Sequence, residues 1–254
     1  MKRKAIIALI CCIGTWIFTQ NVQSQQSTSG LGFESSLEYM DQYVFRGRVL
    51  DEDPALNSNL TLSVGRLSYS YYMHRDFSSD NDSSFKETNH SVEMTWLLGT
   101  AVQTMGYRFY DFGGILPDTQ ELYYRIAYQS TWRPTLGTFY DIDNYNGYYF
   151  DLSLERLLPL TRKSLAGLKF YLAGASGLIE KSNRAGEIKE YGYFADDGLT
   201  NGYAKLFYRW YPTSRWTVEL GYRYYRSFDD QLKDDPLTGE SFNMVSAKIR
   251  YIFP

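Results

Sequence analysis

Cysteine is almost absent from this chain: there are two in 254 residues, Cys11 and Cys12, both near the start. Beyond them no disulfide framework, thiolate nucleophile or Cys-ligated metal is possible. Long apolar runs are missing too. After residue 20 nothing approaches the roughly 18 residues that a spanning helix needs, which excludes a helical membrane bundle. No sign of charge dominates either, with 26 Lys and Arg against 29 Asp and Glu and a net charge of −3. That balance speaks against a general nucleic-acid partner. Apolar residues at 44% and charged residues at 22% lie close to ordinary usage, so disordered and collagen-like chains are excluded as well.

What the chain does have is aromatic side chains. They make up 17% of it, 24 of them Tyr, more than a soluble core requires. Combined with a mean hydropathy of −0.40, this leaves two classes. One is a Tyr-rich soluble β-protein. The other is a transmembrane β-barrel, whose strands alternate between apolar and polar positions and so average to a modest hydropathy.

The first residues give the compartment. Met1-Lys2-Arg3-Lys4 is a basic start, and Ala5 to Phe18 is one apolar run of signal-peptide length, too short for a stable anchor. Val22 and Ser24 are compact residues at the −3 and −1 positions, so cleavage is expected after Ser24. A lipoprotein site is not expected, because Ile10 and Cys11, which precede the two cysteines, are not small. The expected organisation is a cleaved signal peptide over 1–24 and one outer-membrane barrel domain over 25–254. Removing Lys2, Arg3 and Lys4 takes the net charge to about −6, and both cysteines leave with them.

Read with a period of two, the remaining chain resolves into about twelve segments of barrel-strand length. They lie near 33–47, 56–64, 66–76, 89–98, 101–111, 119–129, 135–142, 146–156, 166–175, 201–211, 215–227 and 241–253. In one of them Trp216, Val218, Leu220, Tyr222 and Tyr224 oppose Thr217, Glu219, Gly221, Arg223 and Tyr225; in the last, Val245, Ala247, Ile249, Tyr251 and Phe253 oppose Ser246, Lys248 and Arg250. The connections alternate long and short. The short set is Gly65, Gly99-Thr100, 130–134, 157–165 and 212–214; the longer set includes 47–55, 77–88, 112–118, 176–200 and 228–240, with 143–145 its shortest member. Outer-membrane barrels sort their connections in this way, with short periplasmic turns and longer external loops, and a soluble sandwich has no reason to.

The aromatic excess then has a cause. Tyr and Trp favour the membrane–water interface, and Tyr39, Tyr43, Phe45, Trp96, Tyr110, Tyr140, Tyr148, Trp210, Trp216 and Tyr251 stand at strand ends, where rim girdles are expected. Tyr251 and Phe253 also form the aromatic end of a last strand of the kind that the barrel-assembly machinery reads, with Pro254 as an extension.

Tyr43-Val44-Phe45-Arg46-Gly47, followed by Asp53-Pro54-Ala55-Leu56, resembles the opening of the TorF-type porin family. Thr119-Gln120-Glu121-Leu122-Tyr123, Gly147-Tyr148-Tyr149 and Leu157-Leu158-Pro159-Leu160 resemble its middle, and the similarity runs over essentially the whole chain after residue 24 except the 176–200 loop. The resemblance implies an outer-membrane barrel with a channel role and no known substrate.

With the polar face inward, Arg108, Arg125, Lys169, Lys205, Arg209, Arg223, Lys248 and Arg250 line the lumen together with Glu38, Glu93, Glu121, Asp151, Glu155 and Glu219. Opposite charges on adjacent strands can pair there. A twelve-strand barrel stands between a filled eight-strand barrel and an open sixteen-strand porin, so a narrow pore for small hydrophilic solutes is expected, with a weak lean to anionic or neutral ones. Arg46 is expected to point inward at the mouth and pair with Asp41 or an acid of 51–53. The expected surroundings are outer-membrane lipid and lipopolysaccharide, the barrel-assembly machinery and small solutes, with the chain a monomer of a Gram-negative cell outer membrane. Two other readings stand beside the channel. The first is a structural or ligand-binding barrel, with a partner site in the 176–200 loop; Asp196-Asp197-Gly198 there reads as a turn rather than a calcium loop. The second is an outer-membrane hydrolase, which the sequence disfavours. His90 precedes Ser91 directly, so the two belong to opposite faces, and Asp76, Asp80 and Asp82 beyond His74 read as a solvated loop. No catalytic residue, cofactor or metal is expected.

Overall fold

The structure, a computed structural model, describes residues 30–77, 86–114, 116–179, 181–182, 188–190 and 192–254. The expected signal segment 1–24, Asp80, Asp82 and part of the 176–200 loop lie outside these residues. Twelve strands form the wall: β1 (Leu31–Met40), β4 (Ala55–Val64), β5 (Leu67–Asp76), β6 (Lys86–Leu98), β7 (Ala101–Asp111), β8 (Thr119–Tyr128), β9 (Trp132–Asp141), β10 (Tyr148–Thr161), β11 (Ser164–Ser176), β14 (Gly198–Trp210), β15 (Trp216–Ser227) and β16 (Ser241–Ile252). Among the described residues, two short hairpins sit in the connections, β2 (Tyr43–Phe45) with β3 (Arg48–Asp51) and β12 (Lys181–Ser182) with β13 (Ile188–Glu190), and one short helix α1 covers Asp230–Asp234.

The twelve long strands form a closed antiparallel barrel in sequence order, sealed by β1 pairing with β16 over Glu34↔Ile252 to Met40↔Ser246. Closure leaves no edge strand, which is the condition for a sheet whose outer face meets lipid. The alternation sets the register. On β14 Leu206 is 60% exposed on the outside while Lys205 and Phe207 are buried inside; on β16 Val245 faces out and Ser246 in. A slip of one residue in any pair would send the apolar set inward, so the pattern and the register enforce each other.

One end of the barrel carries short turns and the other the long loops. Gly65 and Gly99 have φ of 60° in the two-residue turns Gly65-Arg66 and Gly99-Thr100, a left-handed conformation that matches the strand twist. All twelve expected segments correspond to wall strands, although β6, β9 and β14 each begin three residues earlier than expected, at Lys86, Trp132 and Gly198, and two larger differences stand out. β10 and β11 run on to a two-residue turn, Arg162-Lys163, where 157–165 is expected as a connection. The run Leu157-Leu158-Pro159-Leu160 masks the alternation there, since Pro159 and Leu157 face inward beside the outward Leu158 and Leu160. The first strand also stops at Met40 rather than continuing to 47, and the chain that follows turns into the barrel.

Candidate functional site

The interior has two unlike halves. Toward the loop end, buried aromatic and aliphatic side chains cross the lumen as two packed groups. One holds Tyr123, Phe139, Tyr145, Tyr149, Tyr193 and Phe194; the other holds Met40, Tyr43, Tyr110, Phe112, Tyr225 and Met244. Phe45 and Leu116 touch both groups and join them. Phe45 meets Tyr110, Phe112 and Tyr193, each with ring centroids 5.6 Å apart, in edge-on contacts that suit aromatic quadrupoles. Of the residues expected in the lipid girdle, Tyr43, Phe45 and Tyr110 are therefore inside the barrel. A period of two cannot reveal this for Tyr43 and Phe45, which come after the chain leaves the wall at Met40; Tyr110, two residues beyond the inward Arg108 on β7, is placed inside by the same alternation. Tyr39, Tyr148, Trp210 and Trp216 do face outward at the rims, and so does Tyr251, whose ring lies 4.6 Å from that of Trp216.

The hairpin β2–β3 carries the plug, and Arg46 sits at its tip in a left-handed conformation with φ 51°. Its guanidinium donates to the Glu121 carboxylate of β8 and stacks on three rings, 4.7 Å from Tyr149, 5.2 Å from Phe45 and 5.4 Å from Tyr193. Glu121 is fully buried and also accepts from the Tyr110 hydroxyl at 3.2 Å. Burial alone would weaken the guanidinium's hold on its proton, but the Glu121 carboxylate outweighs it and keeps Arg46 charged. Arg46 thus points inward as expected, yet its partner is Glu121 rather than Asp41 or an acid of 51–53; Asp41 instead accepts from the Val245 amide at 2.9 Å. The seat depends on Gly47, at φ 84°, because a Cβ there would lie 2.3 Å from Asn201 Cγ. Outside the tip, Arg48 Nε donates to Asp235 at 2.9 Å and the Val49 amide to Thr238 Oγ1 at 2.9 Å, which ties the hairpin to the 228–240 loop. Tyr43 donates to Glu87 of β6, and Asp51 Oδ2 lies 4.0 Å from His74 Nε2.

Toward the turn end lies a cavity of about 690 Å³ lined by Glu38, Glu93, Lys205, Arg209, Glu219, Arg223, Lys248 and Arg250 among others. Seven basic residues and four acidic ones line it, a wider basic excess than the sequence alone indicated. Its carboxylates are shared. Glu219 accepts from Lys205 at 2.7 Å and from Arg209 at 2.6 Å, while Glu38 faces Arg223 at 3.3 Å and Lys248 at 3.6 Å. The sequence did not single out Glu34, which pairs with Arg250 at 3.6 Å, or Arg133, which pairs with Glu155 at 3.1 Å; both lie on the polar face of their strands, which is the signal that could have found them. Between chamber and plug, Arg108 lies over Tyr123 at 5.1 Å and donates to Ser91 at 2.9 Å, and Arg125 lies over Phe139 at 5.5 Å. Lys169 projects inward from β11 opposite Glu155 of β10, and Asp151 projects inward four residues farther along β10, with its carboxylate against Gly137. All of the charged positions expected on the polar face are on the inner side. The possible hydrolase pair is split: His90 is outside, with Nδ1 2.7 Å from the Tyr69 hydroxyl, and Ser91 is buried inside.

No protein-family model matches the sequence, and no curated protein sequence does. Solved structures do resemble the fold. An outer membrane channel from Pseudomonas putida F1 superposes with a TM-score of 0.55 at 11% identity, covering 90% of this chain and 98% of that one. The NanC porin gives 0.53 at 9% identity over 86% and 98%, and LpxR from Salmonella typhimurium gives 0.53 at 8% identity over 87% and 100%. The fold is that of outer-membrane barrels. At these identities the likeness concerns the fold alone, and the chemistry has to be argued from the lumen.

Proposed function

We propose that the protein is an outer-membrane porin that passes small hydrophilic solutes by passive diffusion through a narrow charged lumen, with its turn end in the periplasm and its loop end outside. The observation that carries this reading is the chamber. A purely structural barrel of this size can fill its interior with paired side chains, whereas here about 690 Å³ stays open and is walled by charged and hydroxyl groups. The β2–β3 hairpin at the centre of the plug is a connection rather than a wall strand, so it can withdraw without any loss of barrel hydrogen bonds, while Tyr110, Tyr123, Phe139, Tyr149 and Tyr225 stay with the wall strands that carry them. The conformation described is accordingly a closed one, and the β2–β3 hairpin is the gate. The resemblance of the sequence to TorF-type porins further favours the reading.

Planar-bilayer recording of the refolded chain tests it, beside a variant in which 42–52 is replaced by a short Gly-Ser link. The expected result is discrete, salt-dependent conductance steps, rare in the parent and several-fold more frequent or larger in the variant. Silence from both, in barrels that remain folded and heat-modifiable, rejects the channel and leaves the structural or ligand-binding barrel.

A further inference from the structure

The wall of the chamber is divided into two neighbouring arcs of different chemistry. On β14, β15, β16 and β1 the carboxylates are outnumbered, because Glu219 serves both Lys205 and Arg209, and Glu38 serves both Arg223 and Lys248. Each triad retains about one positive charge. The strands hold these groups in a confined volume where counter-charge is screened less than in open solvent. On the adjoining β4 and β5, Thr61, Ser63, Ser68 and Ser70 face the same chamber. Arg66 stands at the turn that joins these two strands, Glu93 of β6 lies opposite Ser68 and Glu34 of β1 opposite Thr61, so the row itself is hydroxyl with charge only at its borders, and the Thr61 and Ser70 hydroxyls lie 2.9 Å apart. Hydroxyls both donate and accept, so this arc matches a polyol, while the cationic arc matches an acid group. A bare inorganic anion would leave the hydroxyl arc to water, and a neutral sugar would leave the triads uncompensated.

We propose that the chamber binds a small polyhydroxylated anion, a sugar acid of the hexonate or hexuronate class. The inference deepens the porin reading and rests on it for the passage of the solute, but binding itself needs only the chamber. The test is calorimetric titration of the refolded, heat-modifiable barrel in detergent with D-gluconate, using D-glucose and acetate as separate probes. Gluconate is expected to bind saturably and about tenfold or more tightly than either probe, since each lacks one of the two recognition elements. The double variant Ser68→Ala/Ser70→Ala is expected to weaken gluconate several-fold and leave acetate unchanged, and Lys248→Gln to weaken both acids. Equal affinity for gluconate and acetate overturns the proposal in favour of a general anion chamber, and the absence of saturable binding overturns it outright. The two readings separate cleanly. Gluconate binding with a silent bilayer rejects the porin and supports the site, while conductance without gluconate binding rejects the site and supports the porin.

Discussion

At the scale of single residues, the closure is governed by Arg46. A guanidinium removed from water must find both a counter-charge and polar contacts for its face, and Glu121 with the rings of Tyr149, Phe45 and Tyr193 supplies them. Arg46→Ala leaves Glu121 buried with Tyr110 and, across the ladder, Arg108 beside it, and removing one partner of a buried pair costs up to about 3–5 kcal/mol. The hairpin should therefore unseat in this variant while the wall persists, and Arg46→Ala/Glu121→Ala should recover part of the loss. Because the chain has no cysteine after Cys12, a single Cys placed at Val44 reports the change as a rise in thiol labelling. Asp51 adds a pH dependence. Burial, assisted by the neighbouring Asp76 carboxylate, raises its pKa to about 6, above the ordinary carboxylate value of about 3.9. The seated hairpin then holds this proton more tightly than the withdrawn one. Its seating is strongest below about pH 4 and weakens as the pH rises through about 6, and Asp51→Asn should flatten the labelling profile across that window.

At the scale of the strand, two faces with opposite solvents are enforced by one backbone period. Leu206, outward on β14, stands next to Lys205, inward and paired with Glu219. Leu206→Arg puts a cation into the hydrocarbon and should cost about 2–4 kcal/mol if the site is near the midplane, read from denaturant unfolding in lipid vesicles. The shared carboxylate makes the inner face tunable in the same way. Glu219→Gln releases both Lys205 and Arg209, so reversal potentials under a KCl gradient should shift toward greater anion selectivity, with little change in heat-modifiability. A shift toward cations would contradict the charge balance drawn for the chamber.

At the scale of the whole molecule, the barrel is a cup with an aromatic lid. The wall positions of both parts were legible in the sequence, because alternation marks which side of a strand each residue takes. Glu38, Lys205, Glu219 and Arg223 could be assigned inward on that ground alone. The hairpin part of the lid was not legible. Tyr43 and Phe45 have the composition of a rim girdle, and an aromatic ring at a lipid interface and one in a buried plug look alike in one dimension once the chain has left the wall. Arg46 was placed at the mouth and pointed inward, but its partner lies 75 residues away on β8, a distance that no local rule spans. The turn at Arg162-Lys163 was hidden for a related reason, since an apolar run of Leu157 to Leu160 suits both lipid and the inner surface near a barrel end.

The sequence by itself determined the barrel, its number of strands, the inward and outward sets, and the sorting of short turns from long loops. Each follows from a period of two and from turn chemistry, which act between near neighbours. Only the tertiary structure decided that the lumen is closed at one end and open at the other, and that Glu121 rather than a nearby acid holds Arg46. Those outcomes depend on where a connection goes after it leaves the wall, and that is set by contacts with strands distant in the chain, through the burial of rings and the pairing of a charge that water would otherwise solvate.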